Sequence, residues 1–324
     1  MTLPLPFDSV APAVTTPTPV AIVLSTFNGV AFLPAQLDSI VAQEGVSWRL
    51  YWRDDGSSDG SVAVMERFEA AAGANRCVRI DTRGRLGVTA SYMTLLRHVV
   101  ADGAMIVAFA DQDDVWMPQK LLRSLDQLGC VDQVATSETP TLYCSRQVLV
   151  DGELRRLCDS APVHVRPGLG PALTQNIATG CTVVMNRAAA ALVASTTPPS
   201  CSLHDWWSYL VVAASGGRII ADEEKTVLYR QHGSNAVGAP PSTSRRAVAA
   251  LRRGPRIFMT VFRGHVTGLL AHPWLLSPEA KRTLDAVARS LAGGPLERVT
   301  MFGHRLRRQT WPETVLFRCW FLVG

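Results

Sequence analysis

Four short apolar runs, each followed by a polar cluster and then an amphipathic stretch, constrain what this chain can become. "PVAIVLST" (19–26), "WRLYWR" (48–53), "VRIDT" (78–82) and "MIVAFA" (105–110) are rich in β-branched and aromatic residues, the composition of buried strands. After the first, "FLPAQLDSIVAQ" puts Phe32, Leu33, Leu37, Ile40 and Val41 on one helical face. After the second, "DDGSSDGS" offers Asp59 or Ser58 as a cap for the helix "VAVMERFEAAA". "VTASYMTLLRHVVAD" follows the third, with Tyr92, Leu95, Leu96 and Val99 on one side. "PQKLLRSLDQL" follows the fourth, and its Pro118 suits a first helical turn. This alternation predicts an α/β fold around a parallel sheet with right-handed crossovers.

In such sheets ligands bind outside the carboxyl ends of the strands. "STFNG" (25–29), "RDDGSSDG" (53–60) and "DQDD" (111–114) fall at those ends. Further on, 141–150 and the end of 176–186 read as strands. Residues 204–217 read as a helix with a polar start at His204 and Asp205. Residues 218–233 read as two short strands around a turn at Asp222 and Glu223, and 245–324 as short helices broken by Gly and Pro.

With 324 residues, 47% of them hydrophobic, the chain can bury a sizeable core. Residues 1–19 are Pro/Thr-rich and read as a loose tail without the basic and apolar regions of a secretory leader. No uninterrupted apolar run approaches the roughly 18 residues of a transmembrane helix. Seven scattered cysteines without a C-x-x-C pair fit free thiols in a reducing compartment and argue against structural zinc. Residues 241–324 hold 14 Lys and Arg against 4 Asp and Glu, a net +10, which leaves the remainder at −5.

Three acids within four positions repel one another unless something neutralises them. Asp111 and Asp113 suit Mg²⁺ or Mn²⁺, hard ions that take one or two carboxylates and complete their shell with water and phosphate oxygens. Asp114 alone could serve as a helix cap. The acids of "RDDGSSDG" are open to two readings, a strand-to-helix turn or an acceptor for the N–H of a pyrimidine base.

Taken in order, "VAIVLSTFNGVAFLPAQLDSIVAQ", "RDDGSSDGS", "FADQDDVWMPQKL", "HDWW" and "LYRQHGSNAVG" resemble a family 2 glycosyltransferase of the GT-A fold, and most of all its rhamnosyltransferase-like members. The resemblance runs over roughly 20–240. It implies a nucleotide-binding α/β domain with a mixed central sheet over 20–240, after the 1–19 tail and before a basic, amphipathic helical region at 241–324. It places Ser25, Phe27 and Asp55 in the base and ribose pocket, Asn28 in the same turn, and Asp54 as support for the loop. Asp111 and Asp113 match the D-x-D pair, with Asp113 in direct metal contact and Asp111 nearer the ribose or the metal shell. Asp205 matches the catalytic base, and His232 a position near the diphosphate or metal. Two departures stand out: Phe27 replaces a frequent Tyr, and "GRLGVTASY" replaces an Asn-x-Gly segment, so that Arg85 is expected to face the diphosphate.

The activity so implied is metal-dependent, inverting transfer of a sugar from a nucleotide-diphospho-sugar, such as dTDP-L-rhamnose. The acceptor is a carbohydrate or polyprenyl-linked glycan of the bacterial cell surface, and the expected location is cytoplasmic, peripheral to the inner face of the plasma membrane. A sugar-nucleotide nucleotidyltransferase would carry a Gly-rich, basic phosphate loop, which "LSTFNG" lacks. A non-catalytic glycan-binding module is at odds with the acids at 55, 111, 113 and 205. The Arg- and aromatic-rich tail fits a membrane interface or a helical appendage packed on the catalytic domain or on a second subunit. No nucleic-acid motif accompanies its charge, and no nucleic-acid partner is expected.

Overall fold

The structure is a computed structural model and describes residues 19–233 and 243–324, apart from residues 74, 83, 132–133, 136–137 and 304. The tail to residue 18 and the boundary at 240 lie outside the described residues. The chain runs β1 (Val20–Thr26), α1 (Leu33–Val41), β2 (Trp48–Asp54), α2 (Ser61–Ala72), β3 (Cys77–Arg79), α3 (Val88–Ala101), β4 (Ile106–Ala110), β5 (Val115–Trp116), α4 (Lys120–Leu128), β6 (Cys130–Val131), β7 (Val134–Ala135) and β8 (Thr141–Val150). It continues β9 (Arg156–Asp159), α5 (Leu169–Thr174), β10 (Val184–Asn186), α6 (Arg187–Ala194), α7 (His204–Ala214), β11 (Arg218–Arg230), α8 (Thr243–Leu270), α9 (Pro278–Ala292), α10 (Pro295–Thr300) and α11 (Trp311–Val323).

The main sheet has the order β3-β2-β1-β4-β10-β8-β11-β5, with β9 on β8. Its strands follow period-two packing. Val20, Ile22 and Leu24 of β1 join Leu50, Trp52, Ile106 and Ala108 on the face covered by α1, α2 and α4. Ala21 and Val23 join Tyr51, Val107 and Phe109 on the face covered by α3, α6 and α7. Both faces are buried, which is why these strands read as continuous apolar runs.

The sheet is mixed rather than parallel throughout. β1, β2, β3 and β4 are parallel, but β10 lies antiparallel between β4 and β8, and β5 is antiparallel to β11. The reversal at β10 has a functional consequence. Its leading 3-10 turn, Gly180–Thr182, arrives beside the carboxyl end of β4, where Phe109 N donates to Val183 O (3.1 Å).

Other expectations are corrected locally. The expected pair of strands over 218–233 is one long strand, β11, whose register slips between Asp222 and Val227, where the turn was expected. Pairing with β8 continues on both sides of that irregularity, from Arg218 to Arg230. Helix α4 starts at Lys120, not Pro118, because Val115 and Trp116 are drawn into pairing with β11 and Pro118 O accepts from Glu44 N (2.9 Å). Gly60, not Asp59 or Ser58, is the N-cap of α2; Asp59 still accepts from Ser61 N (2.9 Å).

The C-terminal helices are packed on the body. Met259, Phe262, Val266, Leu269, Leu284, Val287, Phe317 and Phe321 share one core cluster with Trp207, Tyr209 and Leu210 of α7. Within α8 the backbone leaves the helical region at Gly254 (φ 73°), ahead of Pro255, where the missing N–H and ring disfavour continuation. Among the described residues no helix is long and apolar enough to cross a membrane. Among the described residues no disulfide joins any of the cysteines.

Phe262 is fully buried against Phe258, Phe317 and Phe321, with ring centroids 5.7–6.4 Å apart. Phe262→Ala is expected to cost about 3–5 kcal/mol in urea unfolding. Because the cluster is continuous with α7, the loss should appear in the single main transition rather than in a separate, earlier one.

Candidate active site

The loops after β1 and β2 are built as one unit. Asp54 ends β2; its carboxylate accepts from Thr26 Oγ1 (2.9 Å), Gly56 N (2.9 Å), Ser57 N (2.8 Å) and the Ser57 hydroxyl. Burial works to raise its pKa, but these bonds outweigh it and hold the group below the ordinary range. Asn28 sits in the left-handed region (φ 48°), which Asn tolerates. Its Oδ1 accepts from Ser58 N (2.8 Å) and its N–H donates to Ser57 Oγ (2.9 Å), so its polar groups bridge the two loops. Ser25 is half-buried beside Arg53 in the β1–β2 ladder.

Asp55 faces a different set of donors. Arg53, fully buried, gives it an Nη1–Oδ1 contact of 2.6 Å; Leu86 N (2.6 Å) and Gly87 N (2.9 Å) add backbone donors. Burial alone would raise this carboxyl, but Arg53 and the two amides pull it below the usual range. Expected as a lining residue of the base pocket, Asp55 has its oxygens engaged by protein donors and anchors the 84–87 segment. Arg85 lies 4.0 Å over the Phe27 ring, a cation–π stack, with Nε 3.9 Å from Asp55 Oδ2. Asp54, Arg79, Asp81 and Arg85 line a cleft of about 200 Å³ beside this stack.

The acidic loop follows β4. Tyr92 Oη shares its hydrogen between Ala110 O (2.6 Å) and Asp111 Oδ1 (2.8 Å). Burial first, then the charge of Asp113 and that of Asp205, push the Asp111 carboxyl up to about 7, against the bonds from Tyr92 and Cys181 N. Asp113 Oδ2 is 2.8 Å from His232 Nε2, just beyond β11. Asp114 is fully buried and accepts from Arg230 N (3.0 Å); burial and the neighbouring acids drive its carboxyl well above the ordinary range. It is therefore an inner group and not a helix cap. Asp111, Asp114 and Cys181 bring ligand atoms within 4.8 Å of one another, but burial also keeps the Cys181 thiol protonated. The oxygen donors suited to a hard cation are thus Asp111 and Asp113, with the His232 imidazole beside Asp113. Converging carboxylates with one pushed to neutrality are what a divalent ion relieves, so the residues present fit Mg²⁺ or Mn²⁺.

Asp205 lies in the first turn of α7. Its Oδ1 accepts from Trp206 N (2.6 Å), its Oδ2 from Gly180 N (3.1 Å), and the Asn176 side chain adds a bond. At the sequence level the helix N-terminus is expected to keep Asp205 ionised. Burial outweighs these donors and raises its carboxyl to about 6. Its neighbour His204 is held neutral, its pKa brought down to about 3 by burial. Trp207 is core, with Nε1 on Thr196 Oγ1 (2.8 Å). Trp206 is half-buried, donates to Ala172 O (2.7 Å) and meets His265 of α8 edge-on at 4.7 Å.

The structure thus draws Asp111, Asp113, Asp205 and His232 to one sheet edge, and Ser25, Phe27, Asn28, Asp54, Asp55 and Arg85 to the adjoining loops. Sequence reasoning missed Gln112, whose amide clasps Phe27 by both N–H (2.9 Å) and C=O (3.0 Å). A Cβ at Gly29 would overlap that amide. It also missed Tyr92 as a partner of Asp111 and Arg53 as a partner of Asp55. The signal was present in kind: a buried Tyr hydroxyl and a buried Arg require partners.

Residues 21–139 match the model of the Glycosyl transferase family 2. The dTDP-rhamnosyl transferase RfbG of Shigella flexneri is 26% identical over 105 residues, 32% of this chain and 36% of that protein. The matches span 35–44% of the length of the curated relatives. Residues 1–349 of S. aureus TarS superpose with a TM-score of 0.54 at 13% identity, covering 94% of this chain and 80% of that one. The mannosyltransferase PcManGT from Pyrobaculum calidifontis, in complex with GDP-Man and Mn²⁺, superposes with a TM-score of 0.50 at 19% identity, covering 98% and 88%. With the mixed sheet and the acid cluster at its edge, these likenesses lead to one assignment: the chain has the GT-A fold, and its residues 21–139 are similar to the Glycosyl transferase family 2.

Proposed function

We propose that the protein is a metal-dependent, inverting glycosyltransferase that moves a sugar from a nucleotide-diphospho-sugar to a carbohydrate or polyprenyl-linked acceptor. The donor proposed is dTDP-L-rhamnose, in keeping with the name of the Shigella relative. The observation that carries the reading is the meeting of Asp205 with the Asp111–Asp113 pair around Gly180. Gly180 N donates to Asp205 Oδ2, and a Cβ on Gly180 would lie 3.6 Å from Asp111 Oδ2.

The Mn²⁺ complex of the Pyrobaculum neighbour supports a divalent ion, which Asp111, Asp113 and His232 would hold and which, when bound, supplies Lewis-acid neutralisation of the departing diphosphate. Asp205 accepts the proton of the acceptor hydroxyl as that oxygen attacks the anomeric carbon. The bond from that carbon to the diphosphate breaks on the opposite face, and the configuration inverts. The N–H groups of Gly180 and Trp206 hold the Asp205 carboxylate in one orientation through the transfer. Ser25, Phe27, Asn28 and Arg85 form the nucleotide side, on a loop pair kept in shape by Asp54 and Asp55.

The partner surface proposed is an anionic bilayer at the cytoplasmic face. Helix α11 is apolar on both sides. Phe317, Trp320 and Phe321 face the core, while Trp311 (78% exposed), Val315, Cys319 and Val323 recur outward at four-residue spacing. Neighbouring α10 exposes Leu296 (83%) and Val299. No acid lies among these outward residues, and the region from 241 carries +10, the charge that anionic headgroups attract.

A panel of sugar nucleotides with Mn²⁺, scored by nucleotide release, tests the activity. The expected result is release from a pyrimidine-diphospho-sugar. Absence of any pyrimidine diphosphate binding overturns the reading, and pyrophosphate release from a nucleoside triphosphate points to a nucleotidyltransferase instead. Asp205→Asn should keep donor affinity and lose turnover by about 10²–10⁴-fold. In the wild type kcat/KM should hold above pH 6, where Asp205 is ionised and accepts a proton. Below about 6 it should fall roughly tenfold per pH unit as the carboxyl protonates. Sedimentation with vesicles should carry the protein down with phosphatidylglycerol-containing but not pure phosphatidylcholine membranes, and Trp311→Glu with Val315→Glu should abolish it. A dimer lost on those substitutions, without lipid binding in the wild type, would make the face a subunit interface.

A further inference from the structure

The C-terminal region is bonded to the residues that lead to Asp205. Residues 305–309 run along α5, and a Cβ at Gly170 would overlap the Arg305 carbonyl, so the bare glycine lets this run lie against the helix. Thr174 Oγ1 donates to Arg307 O (2.8 Å), and Gln309 N donates to Gln175 Oε1 (3.0 Å). Between these contacts Leu306 enters the core. The Gln309 side chain fastens the run on another side, its Oε1 accepting from His164 N (2.8 Å) and Val165 N (3.0 Å). One residue later Thr310 caps α11.

Gln175 is followed by Asn176. The Asn176 Oδ1 accepts from Ala178 N (3.0 Å), which leaves its Nδ2 as the donor of its bond to the Asp205 carboxylate. The turn that Asn176 closes leads on to Gly180, whose N–H also binds Asp205 (3.1 Å). The stretch 175–180 is thus tied to the C-terminal region at one end and to Asp205 at the other. Asp or Ser would close the same turn. Neither offers the amide donor that meets Asp205. A hydrogen bond to a carboxylate is of the stronger, charge-assisted kind, and it fixes the direction in which the group faces.

We propose that Asn176 is a positioning residue that orients the Asp205 carboxylate, and that residues 307–309 hold Asn176 in place through Thr174 and Gln175. The C-terminal region is then part of the transfer machinery. This rests on the glycosyltransferase reading, with Asp205 as the base.

The test follows nucleotide release from whichever sugar nucleotide the wild type turns over, together with binding of free dTDP or UDP with Mn²⁺. Asn176→Ser keeps an acceptor for Ala178 N and removes the amide donor. It should lower kcat by about 10–100-fold and leave KM for the donor and free-nucleotide affinity unchanged. Gln175→Leu removes the acceptor for Gln309 N and should lower kcat alone in the same way. Gln175→Glu, which keeps that acceptor, should recover part of the loss. Because Gln175 acts through Asn176, its loss should vanish when Asn176→Ser is already present. If Asn176→Ser turns over as the wild type does, the proposal falls. It falls too if kcat and nucleotide affinity decline together, since the turn then only supports the fold, or if the two losses multiply in the double variant. Should Asn176→Ser fail to fold, the Gln175 variants carry the test, and equal kcat in the Leu and Glu forms overturns it. A wild type that turns over no sugar nucleotide overturns the underlying reading, and this one with it.

Discussion

Carboxylates held close together in a poorly solvated place repel one another, and this repulsion organises the molecule. Burial first, and then the charges of Asp113 and Asp205, push the Asp111 carboxyl up to about 7. No local segment would bring these groups together at equilibrium; the sheet does. The antiparallel entry of β10 delivers Gly180 to the end of β4, and Gly180 in turn ties down Asp205 from α7. Tyr92 from α3 steadies Asp111 from below. Three elements distant in sequence thus bear the cost of one acidic cleft, and the core behind them holds it in place.

The adjacent acids Asp54 and Asp55 illustrate how neighbours in sequence divide labour in a folded chain. Asp54 organises its own loop through local donors, while Asp55 reaches across to Leu86, Gly87 and Arg53. The Arg53–Asp55 pair is buried, so desolvation opposes much of its attraction. What justifies it is completeness: Arg53 also donates to Thr82, Ser91 and the Gly84 carbonyl. The pair fixes the position of the segment carrying Arg85 rather than adding net stability.

How much of this was legible beforehand follows from the range of each interaction. The strands from β1 to β4 were legible because both their faces are buried, which leaves unbroken apolar runs. The polar clusters after them were legible because burial stops where the sheet ends. The direction of β10 and the continuity of β11 were not, since both depend on partners found only when β8 is in place. The same holds at the site. Asp111, Asp113 and Asp205 stand out by residue type, whereas Gln112 and Tyr92 acquire roles only through contacts 85 and 19 residues away, and Arg53 only where burial turns it onto Asp55. The raised pKa of Asp205 was not legible for a related reason: the helix N-terminus is a local feature, and the burial that works against it is not.

The reach of Arg230 and His232 back to the acidic loop bears on synthesis. Arg230 donates to Asp113 O (2.7 Å) and His232 meets the Asp113 carboxylate, spans of 117 and 119 residues. A chain leaving the ribosome exposes its acid triplet long before either basic partner has been made. At about 5–20 residues per second, that interval lasts on the order of ten seconds. During it the acidic loop is without both of these partners. The cleft is therefore among the last parts of the α/β body to close, and a nascent chain halted before β11 would carry the acids without the site.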